Sequence, residues 1–259
     1  MAQRRIKSKW KKMMAQIHDA VLNRHIPETV KMSRAALNAM LNRYRMVYIK
    51  PDVGSFGDGV GRIEKMGGQY LYRFGVKSKK YKTYSALYQD LQRQLGRTPY
   101  LVQQGIHLLK HRGRRFDLRV MVQENLQKQL ESTAIIGRVA HPKKIVTNYH
   151  SGGKLEPAEK LLSPYLPKTK VSRYILGLKQ LGLRAGQAVR RRYPGVKEVG
   201  VDIAVDQRLH PWILETNTRP DPHIFKVLKD KSIYRKVVRY ARAYGRFQLK
   251  PMKRMRILR

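Results

Sequence analysis

The segment GVDIAVDQRLHPWILETN, residues 200–217, decides the fold of this chain. Apolar and polar residues alternate in its first half and again in its second half, which is typical of two short strands joined by a tight turn. If the chain turns near Arg208 and Leu209, Asp202 lies directly opposite Glu215. Alternation also predicts that Glu215 and Asn217 share one face of the hairpin.

Two carboxylates that face each other across a hairpin repel, so an otherwise apolar hairpin needs something to offset them. Carboxylate and amide oxygens are hard ligands that suit Mg²⁺, which takes its remaining ligands from water and substrate phosphates. The alternative is that Asp202 and Glu215 are solvated residues on an exposed face. Strict alternation places Ile213 on the same face as Glu215 and Asn217.

The composition narrows the class of protein. The 259 residues fit one large domain or two small ones, with ample chain for a core. No apolar run is long enough to span a bilayer, and no signal-type stretch follows the basic N-terminus. Cysteine is absent, which excludes disulfides, zinc–thiolate sites and thiol nucleophiles. We therefore expect a cytoplasmic protein.

The charge is strongly one-sided, with 56 Lys and Arg against 17 Asp and Glu. A net charge of +39 favours an anionic partner, which could be nucleic acid, an acidic polymer or protein, or a membrane surface. A merely solubilising surface is the alternative. The basic tail, residues 226–259, interleaves aromatic residues with cations and could stack on bases. Alternatively, it forms a C-terminal helix whose aromatic residues dock on the core.

Hydrophobic periodicity predicts a mixture of helices and strands without regular alternation, which indicates an α+β fold. The predicted helices are residues 6–22, 33–44, 84–95 and 172–193. The predicted strands lie at residues 46–49, 62–63, 70–72, 100–102, 116–122 and 132–139, followed by the hairpin.

A glycine-rich loop, GSFGDGVG at residues 54–61, joins two of the predicted strands. Glycines permit close backbone approach, so consecutive N–H groups can cover phosphate oxygens. The loop lacks the Walker A and Rossmann patterns and is closer to the strand–loop–strand cover of kinases. Lys50, at the end of the preceding strand, could neutralise a phosphate. A flexible hairpin with an exposed lysine is the alternative.

Three further polar groups invite both a structural and a functional interpretation. Asp117 and Arg119 share a strand face, either as a structural ion pair or as a phosphate-binding arginine oriented by Asp117. Arg138 allows the same two interpretations. The loop at residues 147–154 gathers hydroxyl, amide and imidazole groups with two glycines, and either binds an anion or is an ordinary surface turn.

These segments, in this order, resemble the ATP-grasp superfamily, and most nearly its YheC/YheD-like group, which is associated with bacterial endospore coats. The ribosomal-protein S6 glutamate ligase and glutathione synthetase are more distantly similar. The resemblance covers about residues 9–220 and rests on IPET (26–29), VYIKP (47–51), GSFGDGVG (54–61), YLVQQGI (100–106), FDLRV (116–120), IGRVA (136–140), Thr147 and Asn148 with Gly152 and Gly153, and Asp202 with ETN (215–217).

The resemblance implies an ATP-grasp fold in which two α+β subdomains clasp ATP, without a full N-terminal pre-ATP-grasp domain. The expected division is a helical lead-in at 1–45, a small subdomain at 46–105, a large subdomain at 106–225 and the basic tail at 226–259. A partner protein, an oligomer or the basic surface would replace the missing domain.

The resemblance also implies roles for individual residues. ATP would be held by Lys9 and Lys50, by the loop residues Gly54, Ser55, Phe56, Gly57 and Gly59, and by a hinge of Gln103, Gln104 and Ile106. Asp202, Glu215 and Asn217 match the Mg²⁺-binding positions. Arg119 and Arg138 match arginines near the γ-phosphate and acyl phosphate, and Asn148 lies where relatives position the acceptor.

The activity implied is that of an ATP-dependent, ADP-forming carboxylate–amine ligase, which makes an amide bond through an acyl phosphate. Its substrate would be an acidic peptide, protein or polymer, and the resemblance adds spore association to the expected cytoplasmic location. The competing hypothesis is a basic structural protein that binds ATP or a polyanion, such as nucleic acid or a spore component, on the same scaffold.

Overall fold

Two antiparallel sheets face each other across a cleft. The computed structural model describes residues 4–55, 57–142, 144–147 and 152–247. The helices are α1 Lys9–Ile17, α2 Ala20–Asn23, α3 Arg34–Tyr44, α4 Tyr84–Leu95, α5 Ala158–Leu162, α6 Lys168–Arg192 and α7 Lys231–Ala243. The strands are β1 Thr29–Lys31, β2 Met46–Pro51, β3 Gly61–Met66, β4 Gln69–Phe74, β5 Lys77–Tyr81, β6 Tyr100–Gln104, β7 Lys110–His111, β8 Arg114–Glu124, β9 Leu130–Val139, β10 Lys154–Glu156, β11 Glu198–Val205 and β12 Pro211–Asn217.

The first sheet has the strand order β1-β6-β2-β3-β4-β5. One of its faces carries a core in which Val47, Ile49 and Ile63 pack against apolar residues of α3 and α4, including Leu37 and Leu87. Because strand residues alternate, Tyr48 and Lys50 of β2 point to the opposite face, toward the second sheet. This sheet therefore presents an apolar face to its helices and a polar face to the cleft.

The second sheet has the order β10-β9-β8-β11-β12, with β7 added beside β8. The long helix α6 covers one face, where Val120 and Val122 pack against residues such as Val189. On the opposite face, Met121 and Phe225 belong to the cluster that also includes Val237 of α7. The same face of β8 is charged where it meets the first sheet and apolar where α7 covers it.

The α+β class is confirmed, and the differences from the sequence-based elements have local causes. The predicted helix at residues 6–22 is divided because the Asp19 side chain accepts hydrogen bonds from Val21 N and Leu22 N and so begins α2. Strand β5 was not predicted, since its sequence KSKKY is basic and mostly exposed at the sheet edge. Strand β1 joins the first sheet from within the predicted lead-in at 1–45.

The aromatic residues of the basic tail mostly serve the core. Tyr240 is 6% exposed and Tyr244 is 8% exposed, and the Tyr244 hydroxyl donates to the Glu198 carboxylate at 2.7 Å. These two rings are therefore not available to stack on bases, which agrees with the docked-helix alternative. Residues 248–259 lie outside the part of the chain that the structure describes.

A substitution at Gly137 of β9 tests the packing of the core beside the cleft. A Cβ at this position would lie 2.0 Å from Leu161 Cδ1, in a fully buried part of the core. We expect Gly137→Ala to lower the free energy of unfolding by about 1–3 kcal/mol in urea titrations, because the overpacked core must shift. Gly177→Ala is the control, since a Cβ there meets nothing within 4 Å and should stabilise α6 by about 0.5–1 kcal/mol. Equal stability of the two variants would contradict the prediction.

Candidate active site

The hairpin at the centre of the cleft has the predicted register. Asp202 of β11 pairs with Glu215 of β12, and Gly200 pairs with Asn217. The turn falls where expected, with Leu209 at a φ of 62° and its N–H donating to Asp206 O at 2.9 Å. The opposed carboxylates inferred from alternation are therefore present.

A β-bulge changes which residues of β12 face the cleft. Ile203 pairs with Ile213, so Leu214 is an extra residue between that pair and the pair of Asp202 with Glu215. The placement of Ile213 beside Glu215 was wrong, because the bulge turns Ile213 into the core under α6. The bulge also makes the Leu214 carbonyl an acceptor for Lys50 Nζ at 3.0 Å.

A ladder of ion pairs crosses the second sheet on its cleft face. Arg119 and Asp202 are paired neighbours on β8 and β11, and the guanidinium donates to both carboxylate oxygens, with Arg119 Nη2 3.0 Å from Asp202 Oδ2. Arg138 Nη2 lies 2.9 Å from Asp202 Oδ2 and 2.6 Å from Asp117 Oδ2. The hypothesis that Asp117 orients Arg119 was wrong, because Asp117 holds Arg138 instead.

Burial and charge have opposite effects on the ionisation of this ladder. Burial alone would raise the pKa of Asp202, but Arg119 and Arg138 outweigh it and hold that pKa below its ordinary value. Burial alone would lower the pKa of Arg138, and the two carboxylates raise it instead. Arg138 therefore stays charged, and the carboxylates hold both guanidinium groups in place beside the cleft.

Lys50 is a buried cation of the cleft whose pKa is strongly lowered. Its Nζ donates to Gln103 Oε1 at 2.8 Å as well as to the Leu214 carbonyl, and the side chain is buried. Burial lowers the pKa of Lys50 to about 8, although Glu215 opposes the shift. Gln103 thus lies beside Lys50, whereas Gln104 Oε1 accepts from Glu28 N at 3.3 Å.

Helix α1 brings two more lysines to the hairpin. Lys9 Nζ donates to the Gly54 carbonyl at 3.1 Å and lies 3.9 Å from Glu215 Oε1. Lys12 Nζ also lies 3.9 Å from Glu215 Oε1, and its burial lowers its pKa. Sequence reasoning did not single out Lys12; the signal available was its position one helical turn after Lys9, on the same face.

The glycine-rich loop follows the C-terminal end of β2 and forms one wall of the cleft. Gly57 and Gly59 have φ angles of 80° and 74°, which disfavour a side chain there. A Cβ on Gly59 would also lie 2.9 Å from the Tyr100 hydroxyl. Ser55 belongs to the same wall of the cavity. The predicted site residues Phe56 and Asn148 lie outside the described residues.

One cavity of about 490 Å³ joins these groups. Its charged wall contains Lys9, Lys12, Lys50, Arg119, Arg138, Asp202 and Glu215. Its apolar part contains Ile106, Leu108 and Leu214, which cluster with Trp212. A cavity with an apolar end and a cationic end suits a ligand that has an aromatic base at one end and phosphates at the other.

The hairpin residues fit a hard cation such as Mg²⁺. Within the part of the chain that the structure describes, the ion pairs of Glu215 are the two at 3.9 Å with Lys9 and Lys12, and the Asn217 side chain has no hydrogen bond. Both therefore have oxygen atoms available beside the cavity that they line, whereas Asp202 is held by its arginines. Among the described residues, no group of three or more His, Cys, Asp or Glu forms a metal site, so the set depends on the Asn217 amide.

Comparison with known sequences identifies the class. The family model described as YheC/D like ATP-grasp matches residues 1–247, and the chain belongs to this family. It is 25% identical to the endospore coat-associated protein YheD of Bacillus subtilis (strain 168) over 73% of this chain and 42% of that protein. It is 22% identical to YheC of the same organism, over 84% of this chain and 61% of that protein. Both relatives are thus considerably longer than the part that this chain matches.

Solved structures confirm the ATP-grasp fold. D-cycloserine synthetase DcsG superposes with a TM-score of 0.57 at 12% identity, covering 92% of this chain and 70% of that one. The ATP-grasp ligase PsnB, solved with a minimal precursor, gives 0.52 at 14% identity, covering 91% and 60%. Within the described residues, every helix is too short or too polar to cross a membrane.

Proposed function

We propose that this protein is an ATP-dependent carboxylate–amine ligase that releases ADP. The observation that carries the proposal is the charge of the cleft, where fixed cations from α1, β2, β8 and β9 surround the Asp202–Glu215 pair. The family supplies the expectation of ATP and Mg²⁺, and ligases share the fold. The carboxylate and the amine are not identified by these observations.

The nucleotide would be held between the apolar part of the cavity and the lysines of its charged wall. Ile106, Leu108 and Leu214 offer an apolar surface for the base, and Gln103 lies next to Lys50 at the junction with the cationic end. Lys9 and Lys50 supply positive charge at the phosphates. Glu215 and Asn217 would hold Mg²⁺ with Asp202 directly opposite, and the ion would neutralise charge on the phosphates.

The protein would assist the reaction by positioning the substrates and by stabilising the negative charge that develops on them. The substrate carboxylate takes the γ-phosphoryl group of ATP, and attack by the amine on the resulting acyl phosphate forms the amide and releases phosphate. Negative charge that develops during both steps meets Arg119 and Arg138, which are pre-oriented by Asp202 and Asp117. The glycine-rich loop excludes water that would hydrolyse the acyl phosphate. No covalent nucleophile from the chain is required.

Glu215→Gln tests the cation site without relying on an identified substrate. The change removes one ligand charge at nearly constant shape, so we expect ATP affinity to lose its dependence on Mg²⁺. Titration calorimetry with ATP, in excess Mg²⁺ and in EDTA, measures this directly. Glu159→Gln, on the exposed surface of α5, makes the same charge change away from the cleft and should retain the dependence.

The ligase itself is tested by incubating the wild-type protein with Mg-ATP, acidic peptides and amines. ADP release together with an amide product found by mass spectrometry would support the proposal. Failure of the wild type to bind ATP under any condition would rule it out, and retained Mg²⁺ dependence in Glu215→Gln would refute the metal assignment.

A further inference from the structure

A second group of cations lies in the cleft, away from the lysines and the hairpin. Arg62 of β3 is paired with Tyr48 of β2 on one side and with Arg73 of β4 on the other. Paired residues of antiparallel strands point to the same face, so the three side chains form a row on the cleft face of the first sheet. Arg115 of β8 approaches this row from the second sheet, because it lines the same cavity as Tyr48. The charges of Arg62, Arg73 and Glu64 all act on it.

The arginine cluster, defined as Arg62, Arg73 and Arg115, has too little negative charge of its own. Glu64 is its carboxylate, with an oxygen 3.0 Å from Arg62 Nη2 and 3.7 Å from Arg73 Nη1. Arg115 makes no ion pair with a described residue. Burial, reinforced by Arg62 and Arg73, lowers the pKa of Arg115. Like charges placed opposite each other are destabilising unless something compensates them.

Arg62 is the member of the cluster whose buried donors are not all paired. Its side chain is only 5% exposed, and its Nε is a buried donor that has no hydrogen-bond partner among the described residues. A buried donor without a partner destabilises the fold, and more so when it is charged. A guanidinium group presents its donors in a planar fork that matches a carboxylate or phosphate. The cluster thus has the donors and the positive charge that an incoming anion would satisfy.

The cluster meets the cavity at Arg115, away from the catalytic end. Tyr48 and Arg115 line the same cavity as Arg119. Arg115, Asp117 and Arg119 lie on one face of β8, and each two-residue step along a strand covers about 6.8 Å. The Cα atoms of Arg115 and Arg119 are therefore about 13 Å apart. A ligand that reached both would carry a second anionic group well separated from the reacting carboxylate.

We propose that Arg62, Arg73 and Arg115 form a second anion subsite of the cleft, which binds a carboxylate or phosphate group of the substrate remote from the bond being made. The inference rests on the proposed ligase function, because the subsite would select a substrate that carries more than one anionic group. An acidic peptide satisfies this requirement. The subsite can nevertheless be measured by binding alone.

Arg115→Gln is the variant of choice, because Arg115 has no ion pair to lose and the protein should keep its thermal midpoint. Arg114→Gln is its matched control, since Arg114 precedes it on β8 and points to the other face. The probes are inorganic phosphate, tetraglutamate and Mg-ATP, each titrated calorimetrically into the wild type and both variants at fixed ionic strength. We expect Arg115→Gln to weaken tetraglutamate or phosphate binding at least tenfold, and Arg114→Gln to change it less than twofold.

The two anionic probes show which kind of group the subsite binds. Preferential loss of tetraglutamate binding indicates a carboxylate, and preferential loss of phosphate binding indicates a phosphoryl group. Mg-ATP affinity should stay within twofold in both variants. Equal weakening by the two variants would overturn the subsite in favour of a diffuse basic surface. A tenfold loss of Mg-ATP affinity in Arg115→Gln would overturn it in favour of a nucleotide contact. The absence of anion binding to the wild type would also overturn it, whereas failure of Mg-ATP alone to bind would count against the ligase and not against the subsite.

Discussion

Asp202→Ala should lower the free energy of unfolding by about 3–5 kcal/mol, the cost of removing one partner from a buried ion pair. Arg119 would lose the carboxylate that accepts from its Nε and Nη2, and Arg138 would keep only Asp117. Urea denaturation at low temperature measures the loss. Glu156→Ala is the control, because its pair with the half-exposed Lys160 is worth less than about 1 kcal/mol.

A double replacement separates the ion pair from general damage to the fold. Asp202→Leu combined with Arg119→Met removes both charges together, so it should recover much of the stability lost in Asp202→Ala. The double variant should still fail to bind Mg-ATP with normal affinity, because it lacks a hairpin carboxylate and a cleft arginine. Stability as low as that of Asp202→Ala would show that the pair is not the source of the effect.

The acid limb of the stability curve gives a further check on Asp202. Because its folded-state pKa is held below the ordinary value, the unfolded chain binds the proton first as the pH falls. The contribution of Asp202 to stability is therefore present above about pH 4 and is lost as the pH falls through its lower folded-state pKa. The wild type should show a steeper acid decline than Asp202→Ala.

The register of the hairpin could be predicted from the sequence, but its bulge could not. The pairing of Asp202 with Glu215 follows from alternation and a tight turn, both of which are local. The extra residue Leu214 leaves no local signal, since it simply continues the apolar run of Trp212 and Ile213. Its consequence is large, because it reverses Ile213 and supplies the carbonyl group that holds Lys50.

Partners of charged side chains were predicted less well than the residues themselves. Asp117 and Arg119 share a face of β8, which made an intrastrand pair the natural hypothesis. The register of β11 against β8 instead puts Asp202 beside Arg119, and that of β9 puts Arg138 beside Asp117. Which strands become neighbours is a property of the whole sheet, so alternation within one strand cannot decide it.

Burial of the lysines also required the assembled fold. Several lysines surround Trp10 in the sequence. Helical spacing places Lys9 and Lys12 on one face, but it does not show that this face is buried. Their burial follows because Asp52 docks the start of α1, accepting from Ser8 Oγ at 2.9 Å and from Trp10 N at 2.8 Å. That contact turns the face of α1 that carries both lysines toward Glu215.

Lys50→Met should abolish measurable ATP binding and at the same time make the ligand-free protein more stable. The wild-type side chain is buried, and burial lowers its pKa from an ordinary 10.5 to about 8. Such a shift means that keeping the charge in the ligand-free protein costs about 3 kcal/mol, since one pKa unit corresponds to about 1.4 kcal/mol. Loss of the hydrogen bonds to Gln103 and Leu214 offsets part of this, so we expect a net gain of about 1–2 kcal/mol.

The pH dependence identifies Lys50 as the cause of that gain. Between about pH 8 and pH 10.5 the unfolded chain still binds the lysine proton while the folded chain releases it, so wild-type stability rises with pH relative to the variant. The stability difference should therefore narrow across this range and then change sign, because a rise of about 3 kcal/mol exceeds the gap of about 1–2 kcal/mol. Lys77→Met, on the exposed edge strand β5, removes the same charge and should leave both ATP binding and the pH dependence unchanged. If Lys50→Met bound ATP as tightly as Lys77→Met, Lys50 would not be a phosphate ligand. Calorimetric titration and urea denaturation on the same preparations decide both parts, because one buried charge would both lower the stability of the ligand-free protein and bind the phosphates.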